Sequence, residues 1–296
     1  MKVRIGVSMG AVALGDPADF ARVIDDIVDL GFDSIWLPEV LTAPALDPKV
    51  ALAFAAAHNP RLKLGTTMLL PGRNVVRLAK ELATLDQLSG GRLLITLVPG
   101  LLRQPEQDAV GVAGADKGRL MDEMLPVLRM LWAGERVSHH GDAGNFEDVR
   151  LAPLPVQVPL EVWTGGMVPA ALRRCGRYAD GWLPSVCTPD EVARARVVID
   201  EAAAQADRAI SPEHFGVSIA YASRPLGQKT IRAISSSRRG VDPEQVIPVG
   251  IGGLRSMLEG FLDVGFSKFV VRPMENPGSW RTELEALAEG VLDLQT

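Results

Sequence analysis

The chain has 296 residues, 47% apolar and 23% charged, enough to bury the core of one large domain or two small ones, which excludes disorder and coiled coil. Its 31 basic and 36 acidic side chains leave a net charge of −5 with no long block of like charge, so nucleic-acid binding has no electrostatic support. No apolar run approaches the ~18 residues of a membrane span. The start, Met1-Lys2-Val3-Arg4-Ile5, lacks a signal-peptide core, and Cys175 and Cys187 have neither metal-ligand spacing nor the density of a secreted disulfide scaffold. A reducing cytoplasm is the expected location, and four scattered histidines argue against a metal centre.

The first fifty residues read as one βαβ unit. An alternating apolar run from Val3 to Met9 leads through a loop to a helix, then to a second apolar run at Ser34-Ile35-Trp36-Leu37. Asp16 is the expected N-cap, Pro17 opens the helix, Asp19 sits in its first turn and Gly31 stops it. Phe20, Val23, Ile24, Ile27 and Leu30 follow the 3.6-residue period and predict a face packed on a sheet. The unit recurs late in the chain, where Asp263-Val264-Gly265-Phe266 before Phe269-Val270-Val271 echoes Asp29-Leu30-Gly31-Phe32 before Ile35-Trp36-Leu37.

Eight β-rich runs are legible: Val3 to Met9, Ser34 to Pro38, Lys63 to Leu70, Leu93 to Val98, Leu160 to Thr164, Gly181 to Ser185, Phe215 to Ala222 and Lys268 to Arg272. Helical stretches separate most of them, including Val75 to Leu88, Arg119 to Leu131, Pro169 to Tyr178, Glu191 to Ala206, Leu254 to Val264 and Trp280 to Leu292. This alternation predicts a parallel sheet with right-handed crossovers, and the absence of an early glycine-rich dinucleotide turn favours an α/β (β/α)8 TIM barrel over a doubly wound sheet. A single domain over 1–296 is expected. The gap between strands four and five is roughly twice an average barrel unit. It predicts an insertion at about 99–159, stiffened by Pro153, Pro155 and Pro159 and placed over the active face.

In a barrel, chemistry belongs at the C-terminal ends of the strands. Glu39 lies there after strand two, either as a functional carboxylate or as half of a rim salt bridge. Thr66 and Thr67 put hydroxyls into strand three, where ordinary β-propensity is the bland alternative. Thr164-Gly165-Gly166-Met167-Val168 runs from strand five to the Pro169 helix and can present backbone amides to an anion, or simply turn the chain. His139 and His140 are adjacent and make a poor metal pair; they read as a loop near the insertion. Ser235-Ser236-Ser237-Arg238-Arg239-Gly240, with Lys229 and Arg232, reads as a solvated loop or a lid over an anionic tail. Arg272 ends strand eight and reads equally as an anion ligand or half of an ion pair.

Taken together, Leu64-Gly65-Thr66-Thr67-Met68-Leu69, Ala79-Lys80-Glu81-Leu82-Ala83-Thr84-Leu85-Asp86, Leu88-Ser89-Gly90-Gly91-Arg92, Leu151-Ala152-Pro153-Leu154-Pro155-Val156-Gln157, Trp163-Thr164-Gly165-Gly166 and Asp180-Gly181-Trp182 resemble the luciferase-like monooxygenase superfamily, especially its coenzyme F420-dependent oxidoreductase branch. The resemblance implies a barrel that binds a flavin or deazaflavin at its C-terminal mouth, with the phosphate on Thr164, Gly165, Gly166 and Met167. It implies a non-prolyl cis peptide at Thr67-Met68 behind the ring, with Thr66 beside it, and Val98, Pro99 and Gly100 at the glycine-bearing end of strand four. Glu39 falls where relatives place a carboxylate near the ring and is the expected catalytic residue.

Two positions depart from the sugar-phosphate dehydrogenases of that branch. Val40 stands where they carry a catalytic histidine, and Leu101 replaces an acidic residue, so their activity is not expected here. Thr96-Leu97-Val98-Pro99-Gly100 also replaces a more glycine-rich strand end. The resemblance thus implies hydride exchange between F420 and a small organic substrate. The alternatives are an FMN-dependent monooxygenase, a non-catalytic cofactor-binding protein and, more remotely, a phosphate-sugar isomerase or lyase barrel. Relatives are often homodimers, which makes a homodimer the expected assembly.

Overall fold

The computed structural model describes residues 1–11, 17–100 and 103–296. In chain order the elements are β1 (Arg4–Ser8), α1 (Pro17–Leu30), β2 (Ser34–Pro38), α2 (Pro48–His58), β3 (Lys63–Leu69), α3 (Val75–Ser89), β4 (Leu93–Val98), α4 (Gln104–Ala109), α5 (Lys117–Trp132), β5 (Val137–Gly141), β6 (Gly144–Val149), β7 (Val162–Thr164), α6 (Pro169–Tyr178), β8 (Gly181–Trp182), α7 (Pro189–Ala204), β9 (Gly216–Tyr221), α8 (Gln228–Ser237), α9 (Gly250–Asp263), β10 (Lys268–Pro273) and α10 (Trp280–Val291). The 8-stranded sheet is parallel throughout, in the order β8-β7-β4-β3-β2-β1-β10-β9. Single bridges Trp182 to Phe215 and Ser185 to Ser218 join its edges, so the sheet is a barrel, as the alternation of runs predicts.

The helix stops explain why the two βαβ repeats look alike. Gly31 and Gly265 both take a left-handed φ, +91° and +84°, which a side chain would strain. Each following phenylalanine donates its N–H five residues back, Phe32 to Ile27 O at 3.1 Å and Phe266 to Phe261 O at 3.0 Å. That pattern closes the helix end and drives the phenylalanine into the core. The predicted N-cap Asp16 lies outside the described residues.

Two apolar layers hold the barrel. The larger lies between sheet and helices and contains Phe20, Val23, Ile24 and Ile27 of α1, as their spacing predicts. The smaller fills the barrel lumen with Trp36, Leu94, Trp163, Leu183 and Val270. Trp36 pairs in register with Gly65, and a Cβ at Gly65 would come within 2.1 Å of the indole. Indole and glycine are therefore matched across neighbouring strands.

Many residues that carry the family resemblance are fasteners of this frame. Arg92 donates to the carbonyls of Ala56, Asn59 and Leu62 at 3.1, 2.8 and 2.6 Å, tying the start of β4 to the end of α2. Buried Asp86 accepts from the amides of Val156 and Gln157 at 2.7 and 2.9 Å and fixes the proline-rich return leg. Asp180 accepts from the Val162 amide and pairs with Arg129 and Arg208.

Three expectations are corrected. Only the first part of the insertion lies at the mouth: α5 is the helix of the fourth barrel unit, and β5 and β6 form an antiparallel hairpin that folds back along it, its Asp142 paired with Arg119. His139 and His140 lie in strand β5 rather than a loop, and Glu123 and Glu147 hold their diverging rings at 2.7 Å each. Ser235 to Ser237 belong to α8, and Arg238 donates to the Glu191 carboxylate at 2.6 Å, so this run is pinned to α7.

Candidate active site at the C-terminal mouth

The C-terminal ends of the strands bring the predicted residues to one rim, and the two-residue alternation of each strand decides which side chains face the lumen. Because Lys63, Gly65 and Leu94 line the lumen, Thr67, Leu69, Thr96 and Val98 face it too. Thr66 and Met68 point the other way, into the layer against the helices, where both are fully buried. The Thr66 hydroxyl is spent on Leu37 O at 3.0 Å. Trp163 faces the lumen, so Thr164 faces α6, its hydroxyl beside the Cys175 thiol and without an oxygen or nitrogen partner among the described residues. Burial pushes that thiol up to about 12.

The cis peptides among the described residues are Ala152–Pro153 and Val158–Pro159, so Thr67–Met68 is trans, contrary to expectation. The strand end is held differently. The Glu39 amide donates to Thr67 O at 2.8 Å, and the Leu69 amide donates to Glu39 Oε2 at 2.9 Å. The other oxygen of Glu39 pairs with Arg73, whose Nε also donates to Leu69 O at 2.8 Å. Glu39 is buried, and both its carboxylate oxygens take protein donors. Sequence reading missed Arg73, although its place just before the N-cap Asn74 of α3 marks it as a mouth residue.

Thr96, noted in the sequence only as part of the altered strand end, takes a place of its own at the rim. It lies in register between Thr67 and Trp163, is fully buried, and its hydroxyl has no partner among the described residues. Val98 packs against Gly165, and Gly100 turns the chain at φ +77° where a Cβ would strike Leu69. Pro99 is half-buried between them, and Leu101 lies outside the described residues. Beyond it, α4 leans over the rim. Glu106 accepts from the Arg103 amide at 3.0 Å and from the Thr42 hydroxyl of the loop after β2, while Val110 lies against Gly72 of the loop after β3.

The loop after β7 has a different character. The amides of Gly165, Gly166, Met167 and Val168 make no hydrogen bond with the described residues, and the α6 N-terminus has no side-chain cap. Gly166 sends its carbonyl away, to the Trp182 indole N–H at 3.1 Å. Consecutive free amides at an uncapped helix start form an anion receptor, strengthened by the helix dipole. The donor set fits the phosphate of a flavin or deazaflavin, and the lumen beside it offers the Thr67 and Thr96 hydroxyls.

A cavity of about 170 Å³ lies at the opposite end of the lumen, under Trp36 and Trp163. Its charged rim is internally paired, Arg4 and Lys63 with Asp33, Lys268 with Glu213 and His214 with Glu161. Such pairing at the N-terminal face serves stability rather than chemistry. Among the described residues no group of three or more His, Cys, Asp or Glu converges as a metal site, and no helix is long and apolar enough to cross a membrane.

The family model for luciferase-like monooxygenases matches residues 2–240, and the chain belongs to that family. A 5,10-methylenetetrahydromethanopterin reductase of Methanolobus tindarius is 27% identical over 238 residues, covering 74% of this chain and 70% of that protein. An uncharacterized protein of Mycobacterium tuberculosis is 33% identical over 153 residues, 51% of this chain and 52% of its own, so the chain spans about half the length of that relative. Among solved structures, an F420-dependent secondary alcohol dehydrogenase in complex with an F420–acetone adduct superposes with TM-score 0.81 at 17% identity over 100% of both chains. The FMN-bound oxygenating constituent of 3,6-diketocamphane monooxygenase from Pseudomonas putida gives 0.75 at 18% identity, over 100% of this chain and 99% of its own. At these identities the structures establish the shared barrel.

Proposed function

We propose that the protein is an F420-dependent oxidoreductase acting on a small organic substrate. The observation that carries this reading is the row of four amides from Gly165 to Val168, unbonded among the described residues, at the uncapped start of α6, three strands from Arg272 round the rim. Gly165, Gly166 and Met167 would hold the cofactor phosphate, with Thr164 contributing its backbone rather than its hydroxyl. Thr67, Val98, Pro99 and Gly100 would line the ring. When bound, F420 supplies a carbon that gives or takes hydride; the chain supplies orientation and shields the site from water.

Glu39 acts here by position. Its carboxylate locks the ends of β2 and β3 together, so the Thr67 side of the pocket keeps one shape, and Thr66 and Met68 support that wall from behind. The fold it shares with the FMN-bound monooxygenase favours a second reading, with reduced FMN in the same place and oxygen as co-substrate. We take the protein to be cytoplasmic and homodimeric, the latter through the exposed Val50 and Phe54 of α2.

Parallel titration of the apo-protein with F420 and with FMN, followed by tryptophan quenching and equilibrium dialysis, tests the choice. Micromolar or tighter F420 binding with weak FMN binding supports the deazaflavin reading; the reverse order replaces it with the monooxygenase. Tight binding without hydride exchange across a broad substrate panel would make the protein a cofactor carrier.

A further inference from the structure

We infer that Arg272 is the receptor for an anionic head group, a carboxylate or phosphate, on the substrate that enters opposite the cofactor phosphate. Lys268 and Val270 of β10 line the lumen, so the alternation of the strand turns Arg272 inward at the rim. Its Cδ and Nη1 lie 3.9 Å from where a Cβ on Gly10 would stand, which places the guanidinium beside Gly10, just past the end of β1. Its register partner on β9 is Ala220, and on the other side the β1 ladder ends at Val7 with Val271, one residue before Ser8. Ala220 and Ser8 are both small and uncharged.

No hydrogen bond or ion pair joins the Arg272 guanidinium to any of the described residues; its backbone is taken up in the ladder with β9. Burial lowers its pKa, yet an arginine keeps its proton in a protein. A desolvated, permanent positive charge with small neutral neighbours calls for an oxyanion, with which its planar fork forms two parallel hydrogen bonds. The rim carboxylate Glu39 is committed to Arg73 and Leu69, and Glu106 to Thr42 and Arg103. The free amides at α6 lie three strands away round the barrel, so they and Arg272 serve different anions.

Naming this the substrate side rests on the proposed cofactor reading, and the experiment keeps the two apart. The arginine Nε–Hε resonances are followed by nuclear magnetic resonance while the cofactor-loaded protein is titrated with inorganic phosphate, acetate and neutral acetamide; Arg272→Gln assigns the peak. The expected result is a saturable shift of the Arg272 peak with phosphate or acetate but not acetamide. Anion affinity should fall by about tenfold or more in Arg272→Gln and be partly restored in Arg272→Lys, with F420 and FMN affinities unchanged. The tighter of the two anions identifies the head group. No saturable shift, or equal anion affinity in Arg272→Gln, overturns the inference. Competition between phosphate and cofactor at this peak overturns the substrate-side assignment and gives Arg272 to the cofactor. If neither cofactor binds while the anion titration on apo-protein is unchanged, the proposed function fails and the anion site stands.

Discussion

Glu39 and Arg73 form an ion pair across the rim between β2 and the loop after β3, with the carboxylate side chain 4% exposed and the guanidinium 20%. The pair also encloses the backbone of Leu69, whose amide and carbonyl bond to Glu39 and Arg73 respectively. Removing Arg73 strands a buried charge, whereas Glu39→Gln keeps an acceptor for the Leu69 amide. Arg73→Ala should therefore destabilise the protein by about 3 kcal/mol and Glu39→Gln by less. Urea unfolding of both variants checks the order; a larger loss in Glu39→Gln contradicts this account of the pair.

The free amides at α6 permit a test in which stability and binding move in opposite directions. Val168 is the N-cap and is 63% exposed, so Val168→Asp places an acceptor and a negative charge at the helix start without disturbing the core. The variant should gain about 1 kcal/mol in stability from capping. The same charge should weaken F420 or FMN binding at least about tenfold by repelling the phosphate. Thermal unfolding and equilibrium dialysis of one preparation read both effects, and unchanged cofactor affinity would remove the phosphate from this loop.

Lumen packing depends on the match between Trp36 and Gly65. A methyl group at Gly65 has no room beside the indole, so Gly65→Ala must shift Trp36 against Leu94, Leu183 and Val270. Overpacking of this kind costs about 1–3 kcal/mol. A lowered denaturation midpoint together with altered tryptophan emission is the expected result.

The clamp of α4 on the rim should respond to acid. The Thr42 hydroxyl, then the Arg103 amide, hold the Glu106 carboxyl below its ordinary value of 4.5. A carboxyl with a lowered folded-state pKa stabilises its site fully above the unfolded value, and that contribution disappears as pH falls through the folded value. Hydrogen exchange over 104–110 should be slow above pH 4.5 and accelerate below it. Thr42→Val should bring the acceleration closer to pH 4.5; no change with this substitution would show that Thr42 does not hold the clamp.

What could be read in the chain itself were features that depend on near neighbours. Glycine stops and alternating or helical apolar patterns are written within a few residues, so all eight barrel strands and the repeated βαβ unit were legible. The motifs that resemble a known family were legible for the same reason, and several, such as Arg92 and Asp86, prove to be fasteners of the frame. The hairpin containing His139 and the helix containing Ser235 were missed, because polar stretches acquire their structure by packing on α5 and α7.

The chemistry of the rim was decided only in three dimensions. Whether Thr66 or Thr67 faces the lumen is set by strand register, which a one-residue slip would invert. Whether Glu39 and Arg272 are ion-paired depends on partners brought close by the barrel. Arg73, 34 positions along the chain, takes the first, while the second, beside Ala220 of β9, finds no side-chain partner among the described residues. Sequence alone determined the frame because its signals are local; the tertiary structure decided which charges meet, because that depends on distances the chain closes only when it folds.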